Sequence, residues 1–270
     1  MSYSKEYCLL DVGGTFIKCA DGRQVPIHSG GSREEIVSAL KTAIGPVQGL
    51  KGVGIAIPGP FDYANGIFLM KHKFSALFGA SFRELTQLPE NIGLRFHHDV
   101  NILLRGAIRI LGLEKGNTAV VTLGTGLGFS YAINGQVQYN EMGSPARNLW
   151  NIPLDGGGIL EDRISDRGLR TAYAGLTGDD TLSAYAIARL AYGGDEYALE
   201  AFSGLGERLG EALEDVVREL HIDTLLMGGQ ISKSISLMLS PLQNRLEGIC
   251  IRPVPEGAVF EGLSSLFENE

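Results

Sequence analysis

Short apolar runs, closed by glycine turns or followed by stretches of helical period, divide this sequence into two similar halves. Residues 7–10 are apolar, pass through Asp11-Val12-Gly13-Gly14-Thr15, and give way to a second run at 16–20. That pattern predicts strand, tight turn, strand, with a third strand at 24–27. Ser32, followed by Glu34 and Glu35, predicts the N-cap of a helix to about 43, with Ile36, Val37, Leu40 and Ile44 on one face. Residues 52–57 are apolar without alternation and run into Pro58-Gly59-Pro60, as in a strand covered on both faces. A short helix at 81–88, ended by Pro89, precedes a strand at 94–98 and a helix from Asp99 to about 111. The loop 112–117 is a boundary, because the opening pattern then repeats. A strand at 118–123, the turn Gly124-Thr125-Gly126-Leu127-Gly128, a strand at 129–133 and the Asn134-Gly135 hairpin turn follow in order.

Residues 139–168 are glycine-rich and irregular, with Glu161-Asp162 on a short helix. Helices are expected from about 181 to 220, where Glu200, Glu207, Glu211 and Glu214 form a solvated face. A buried strand at 222–227 ends in Gly228-Gly229, and a helix at 231–246 is expected to break near Pro241. A last helix spans 258–267. The reading is therefore α/β, with domains at 1–111 and 112–254 and a terminal segment, 255–270, packing back on the first.

Composition narrows the class. The formal charge of −8 argues against a broad basic surface for nucleic acid. No run of about 18 apolar residues offers a membrane span. Residues 1–6 lack an apolar signal core, so a cytoplasmic protein is expected. Cys8, Cys19 and Cys250 are far apart in apolar contexts and read as buried thiols in a reducing compartment. No closely spaced Cys/His cluster suggests structural zinc.

Candidate chemistry lies at the glycine turns. Gly13 and Gly14 let backbone N–H groups approach a ligand, Thr15 adds a hydroxyl, and Asp11 adds a carboxylate. That set suits a nucleotide phosphate and its Mg²⁺, and it also suits an ordinary hairpin. The second turn, with Gly124, Thr125 and Gly126, favours a two-sided phosphate grip. Gly228-Gly229, where a strand gives way to a helix, is a usual docking place for a nucleotide. Asp99 stands at the carboxyl end of a strand, where open α/β sheets place ligands, and is also a natural helix N-cap. The two roles are compatible.

Five segments, Asp11–Thr15, Gly54–Pro60, Asp99-Val100-Asn101, Leu123–Gly128 and Leu226–Gly229, resemble the ROK family of sugar kinases and sugar-responsive repressors in order and approximate spacing. The family belongs to the actin-like ATPase superfamily. The resemblance implies two RNase-H-like domains around a nucleotide and sugar cleft, ATP and Mg²⁺ as cofactors, and a homodimer. It implies that Asp11 lies near the metal, that Gly13, Gly14 and Thr15 face the transferred phosphate, and that Lys18 approaches it. Gly124, Thr125 and Gly126 would hold the other phosphates, Gly228 and Gly229 would flank the adenosine, and Asp99 would be the general base. Gly59, His98, Glu141, Ser144 and Glu161 fall on the sugar side.

The chain departs from the family in several places. The family's Glu-x-Gly-His reads Glu141-Met142-Gly143-Ser144 here, and the loop 152–161, which would carry zinc-binding cysteines, has none. No structural zinc is expected, with Glu141 and Glu161 kept as sugar ligands. Glu161 fits equally as a helix-face carboxylate paired with Arg163. His98 stands where the family has asparagine, and fits either a sugar contact or a structural role. Lys71-His72-Lys73-Phe74-Ser75 replaces an asparagine-containing segment, and reads as a solvated loop or as a preference for an acidic substrate. The resemblance implies an ATP-dependent hexose kinase. A repressor of the family would need a winged helix before residue 7, and a non-catalytic sugar or nucleotide binder is the third possibility.

Overall fold

The computed structural model describes residues 4–268. Readings that touch 1–3 and 269–270, at the N-terminal stretch and the end of the terminal segment, fall outside the described residues there. The chain forms two compact units. The first holds the chain up to Gly112, Val137–Ala146, and the chain from Pro255 onward; the second holds Leu113–Gln136 and Arg147–Val254. Val137–Ala146 thus belongs to the first unit, although it lies inside the sequence range expected for the second domain.

In the first unit the strands are β1 (Tyr7–Val12), β2 (Phe16–Cys19), β3 (Gln24–Pro26), β4 (Gly52–Ile57), the hairpin β5 (Phe61–Asp62) and β6 (Ile67–Phe68), and β7 (Gly93–His98). Its main sheet has the order β3-β2-β1-β4-β7. Every residue of β4 is buried, as its unbroken apolar run requires. Parallel pairing sets Asp11 of β1 beside Ala56 of β4, and Ile57 of β4 beside His98 of β7. The carboxyl ends of the three strands therefore lie along one edge. Helix α1 (Arg33–Ile44) starts in a full capping box, with the Ser32 hydroxyl accepting from Glu35 N–H and the Glu35 carboxylate accepting from Ser32 N–H. After α2 (Phe82–Thr86) and β7, helix α3 (Asp99–Leu111) leaves the sheet edge.

The second unit repeats the plan with β8 (Thr118–Leu123), β9 (Leu127–Ile133), β10 (Gln136–Val137), β11 (Thr224–Gly228) and β12 (Cys250–Pro253), ordered β10-β9-β8-β11-β12. Counted within each five-stranded sheet, both have the order 3-2-1-4-5, the RNase-H-like arrangement. Thr122 pairs with Gly228, which brings the Gly124 turn and Gly228-Gly229 to the same end of this sheet. Gly229 has φ +86, and a Cβ there would sit 2.2 Å from the Leu123 carbonyl oxygen, so only glycine fits. Its helices are α4 (Leu160–Arg163), α5 (Asp166–Thr177), α6 (Ala184–Tyr192), α7 (Glu196–Glu219) and α8 (Leu239–Arg245). The last helix, α9 (Ala258–Ser264), belongs to the first unit and crosses α3 closely. A Cβ on Gly106 would fall 1.7 Å from Ala258 O, and one on Gly262 would fall 2.2 Å from Ile102 O. No helix among the described residues is long and apolar enough to cross a membrane.

Several local expectations are corrected. The N-cap of α3 is His98, and Asp99 is its first helical residue. Helix α2 stops at Thr86, ahead of Pro89, because Gln87 turns left-handed at φ 59. Helix α5, absent from the sequence reading, forms despite Gly168 and Gly175 because Ser165 caps it and Leu169 and Tyr173 are buried. The break in 231–246 falls at Ser234 and Met238, while Pro241 sits in the first turn of α8, where its missing N–H costs little. Cys250 is exposed on β12, at the edge of its sheet. Cys19 is buried, and burial pushes the half-buried Cys8 thiol up to about 12.

Candidate active site

In the first unit, expected site residues gather around the ends of β1, β4 and β7. Asp11 closes β1 opposite Lys18, and the two form an ion pair of 3.4 Å. The turn between them is pinned by Gly13 N–H donating to Phe16 O (3.0 Å), Ser29 N–H to Gly14 O (3.0 Å) and Ile27 N–H to Thr15 O (2.9 Å). Gly59, just past β4, marks the centre of the sugar-side group. A Cβ on it would lie 3.3 Å from the Tyr63 hydroxyl, 3.4 Å from Ser144 Oγ and 3.5 Å from the His98 ring. Tyr63 donates its hydroxyl to Ile57 O at 3.2 Å and shares a hydrogen bond with Ser144.

Ser144 reaches this group because its turn is built locally and then tied to α3. Asn140 Oδ1 accepts from Met142 N–H and Ser144 N–H. The buried Asn101 of α3 donates to Gly143 O at 3.3 Å. Glu141 lies on the same turn and is exposed.

Asp99 and His98 form a close pair. His98 Nδ1 lies 2.9 Å from Asp99 Oδ1, and Val100 N–H donates to that same oxygen at 2.8 Å. A 3.3 Å approach of Val100 N–H to Nδ1 competes with donation by Nδ1 to Asp99, since one nitrogen cannot accept and donate at once. The shorter contacts favour Nδ1–H donating to Asp99. Burial pushes the Asp99 carboxyl up, but the His98 hydrogen bond and charge, the Val100 N–H and the Lys73 charge outweigh it and hold the group below its ordinary range. Asp11 goes the other way. Burial raises it, Lys18 opposes the rise, and the Asp99 charge adds to it. His97, one residue earlier, is driven down to about 4 by burial and by the charges of Arg105 and His98, so it is neutral near pH 7.

The second unit carries its own cavity of about 740 Å³ at the glycine end of its sheet. Gly124 and Thr125 line one side, Tyr185, Ala188 and Tyr192 of α6 another, and Gln230, Ile231, Lys233 and Ser234 a third. Glu161 belongs to this unit. It does not pair with Arg163. Its Oε2 accepts Leu127 N–H at 2.8 Å and would lie 2.6 Å from a Cβ on Gly126, so it braces the glycine turn. Gly228 is held by the Ser232 hydroxyl, which donates to its carbonyl at 2.5 Å.

Two groups of residues escaped the sequence reading. Tyr63 follows the Pro-Gly-Pro segment by three residues, and its role depends on the hairpin β5–β6 folding it back. The α6 face has an ordinary amphipathic pattern, and only the cavity distinguishes it from core.

Comparison with known proteins agrees with this architecture. A sequence profile described as the ROK family matches residues 155–262. A glucokinase from Halalkalibacterium halodurans is 26% identical over 94% of this chain and 89% of its own. Over residues 155–262 the chain is similar to the ROK family. Solved structures share the ROK fold along nearly the whole chain. A ROK family glucokinase from Streptomyces griseus, solved with glucose and AMPPNP, superposes with a TM-score of 0.77 at 21% identity, covering 97% of this chain and 98% of that one. A ROK family transcriptional regulator superposes with a TM-score of 0.73 at 16% identity, covering 97% and 81%. The ROK fold thus serves both enzymes and regulators, and the choice between them rests on the site.

Proposed function

We propose that this protein is an ATP- and Mg²⁺-dependent kinase that phosphorylates a hydroxyl of a hexose or hexose derivative. The observation that carries the reading is the state of Asp99. It is an ionised carboxylate at the carboxyl end of β7, with Gly59, Tyr63, His98 and Ser144 around it and the Asp11 turn at the same end of the sheet, on β1 beyond β4. Its Oδ1 is taken by His98 and Val100, which leaves Oδ2 for a substrate hydroxyl. The hydroxyl proton passes to Oδ2 as the oxygen bonds to phosphorus and the bond to ADP breaks. Phosphoryl transfer asks mainly for positioning and charge neutralisation, so a carboxylate of low basicity suffices when the proton leaves late.

His98, Ser144 and Tyr63 supply donors and acceptors for the remaining ring hydroxyls, with Glu141 and Glu161 as further sugar ligands. Gly13, Gly14, Thr15 and Lys18 would face the transferred phosphate. Gly124, Thr125 and Gly126 would hold the other phosphates, with the base and ribose in the cavity flanked by Gly228, Gly229 and α6. Asp11 fits Mg²⁺, because its buried carboxylate is left under-compensated by an exposed lysine. Mg²⁺ is bound through one or two carboxylates plus water and phosphate oxygens, and it supplies charge neutralisation when present. The glucokinase relative supports the reaction class.

Incubation with ATP, Mg²⁺ and a panel of hexoses and their derivatives tests the proposal, with ADP release and sugar phosphate as readouts. Turnover of at least one sugar is expected. Sugar binding by calorimetry with no turnover of any sugar would overturn it in favour of a sensing role. A homodimer is also proposed, and light scattering of the purified protein would settle the mass.

A further inference from the structure

Away from both glycine turns, the second unit gathers three arginines with too few acids to balance them. Arg163 at the end of α4, Arg167 in the first turn of α5 and Arg208 on α7 line a cavity of about 480 Å³, together with Asp162, Gly168, Thr171 and Ala172. It shares no lining residue with the larger cavity beside Gly124. Asp162 is its only acid, and Asp162 is already engaged. One carboxylate oxygen accepts Ile159 N–H at 3.0 Å, and the other pairs with Arg167. Glu207, next to Arg208 in sequence, is 3.6 Å from Arg245. Among the described residues, Arg163 and Arg208 have no carboxylate within ion-pair distance.

Arg208 shows the cost of this arrangement most clearly. Its Nε is buried and has no acceptor. Burial and the charge of Arg163 both push its pKa down, as expected where like charges are held together away from water. A buried guanidinium N–H without an acceptor is destabilising, and a chain does not retain one cheaply. An anion entering the cavity would meet several N–H donors arranged in planar forks, the geometry that binds phosphate oxygens in pairs. Thr171 lines the same space.

We propose that this cavity is a binding site for a phosphate-class anion, either inorganic phosphate or the phosphate group of a small ester. The volume leaves room beyond the phosphate itself for the remainder of an ester. The site is separate from the catalytic residues, so its occupancy would act on the stability and motions of the α4–α5 segment, whose first helix carries Glu161.

The test is titration of the protein, without ATP or sugar, by sodium phosphate and separately by a hexose 6-phosphate, against sodium chloride of equal ionic strength. Calorimetry and thermal unfolding are the readouts. Saturable binding and a rise in Tm beyond the chloride control are expected with at least one of the two, and the tighter ligand identifies the source. Arg163→Gln, on an exposed side chain, and Arg208→Gln should each weaken that binding at least tenfold. In phosphate-free buffer of low salt, Arg163→Gln should melt at or above the wild type, because a like charge is removed. In saturating phosphate it should melt below it. Absence of saturable binding, or equal binding by wild type and both variants, would overturn the proposal. Equal binding would assign the anion to the glycine turns. Because no turnover is measured, failure of the kinase reading leaves this result untouched.

Discussion

The two aspartates at the strand ends are held in opposite states, and each has its own consequence. Asp99 is kept below its ordinary range, so the base remains charged well into mild acid. If it is the base, kcat should show no acid limb from this group between about pH 8 and 5. Asp99→Asn should lower kcat by about 10²–10⁴-fold while the nucleotide Kd measured by calorimetry stays near the wild-type value. For stability the sign is that of a depressed acid: the contribution is present above the unfolded value and is lost as pH falls through the folded one. Asp11 has the reverse sign. Its carboxyl is raised in the fold, so its ionised form subtracts stability above the unfolded value and the loss is relieved as pH falls. Asp11→Asn should therefore raise the Tm at pH 7 without Mg²⁺, yet abolish sugar phosphorylation. The partly exposed Lys18 pair it sacrifices is of the kind that contributes little. Both aspartates were legible in the sequence because strand ends are. Tyr63, Lys73 and the bracing role of Glu161 were not, since each depends on a partner 26 to 81 residues away in the chain.

At the level of elements, local chemistry was legible wherever a cap or an unbroken apolar run announced it. The capping box of α1 is one such case, and Ser32→Ala should cost about 1 kcal/mol in denaturant unfolding, with m unchanged. Helix α5 was illegible because Gly168 and Gly175 depress its propensity. Gly168 is there for packing: a Cβ would lie 2.3 Å from the Arg163 carbonyl oxygen. The same logic governs the α3–α9 crossing, where Gly106 and Gly262 allow backbone to meet backbone. Gly106→Leu should force the helices apart and cost more than about 3 kcal/mol, read as a fall in denaturant midpoint. A strand such as β12 has only an exposed, mixed pattern, and its pairing with β11 is what defines it.

In the molecule as a whole, the doubling of the glycine turn was the most informative sequence feature, and the two sheets of identical order account for it. The proposed chemistry is shared out accordingly, with the acceptor group on the first unit and the nucleotide cavity on the second. Filling that cavity tests the division. Ala188→Trp should weaken nucleotide binding more than tenfold and leave sugar affinity, measured by calorimetry, unchanged. The way the chain is shared between units carries a last consequence. It passes from one unit to the other after Gly112, Gln136, Ala146 and Val254, so neither unit is a continuous stretch. A fragment ending at residue 112 would lack both the turn that presents Ser144 and the helix that covers α3. No pair of cuts excises a self-sufficient half, and whatever duplication produced the two sheets, later inheritance, exchange or engineering of this protein has to move them together.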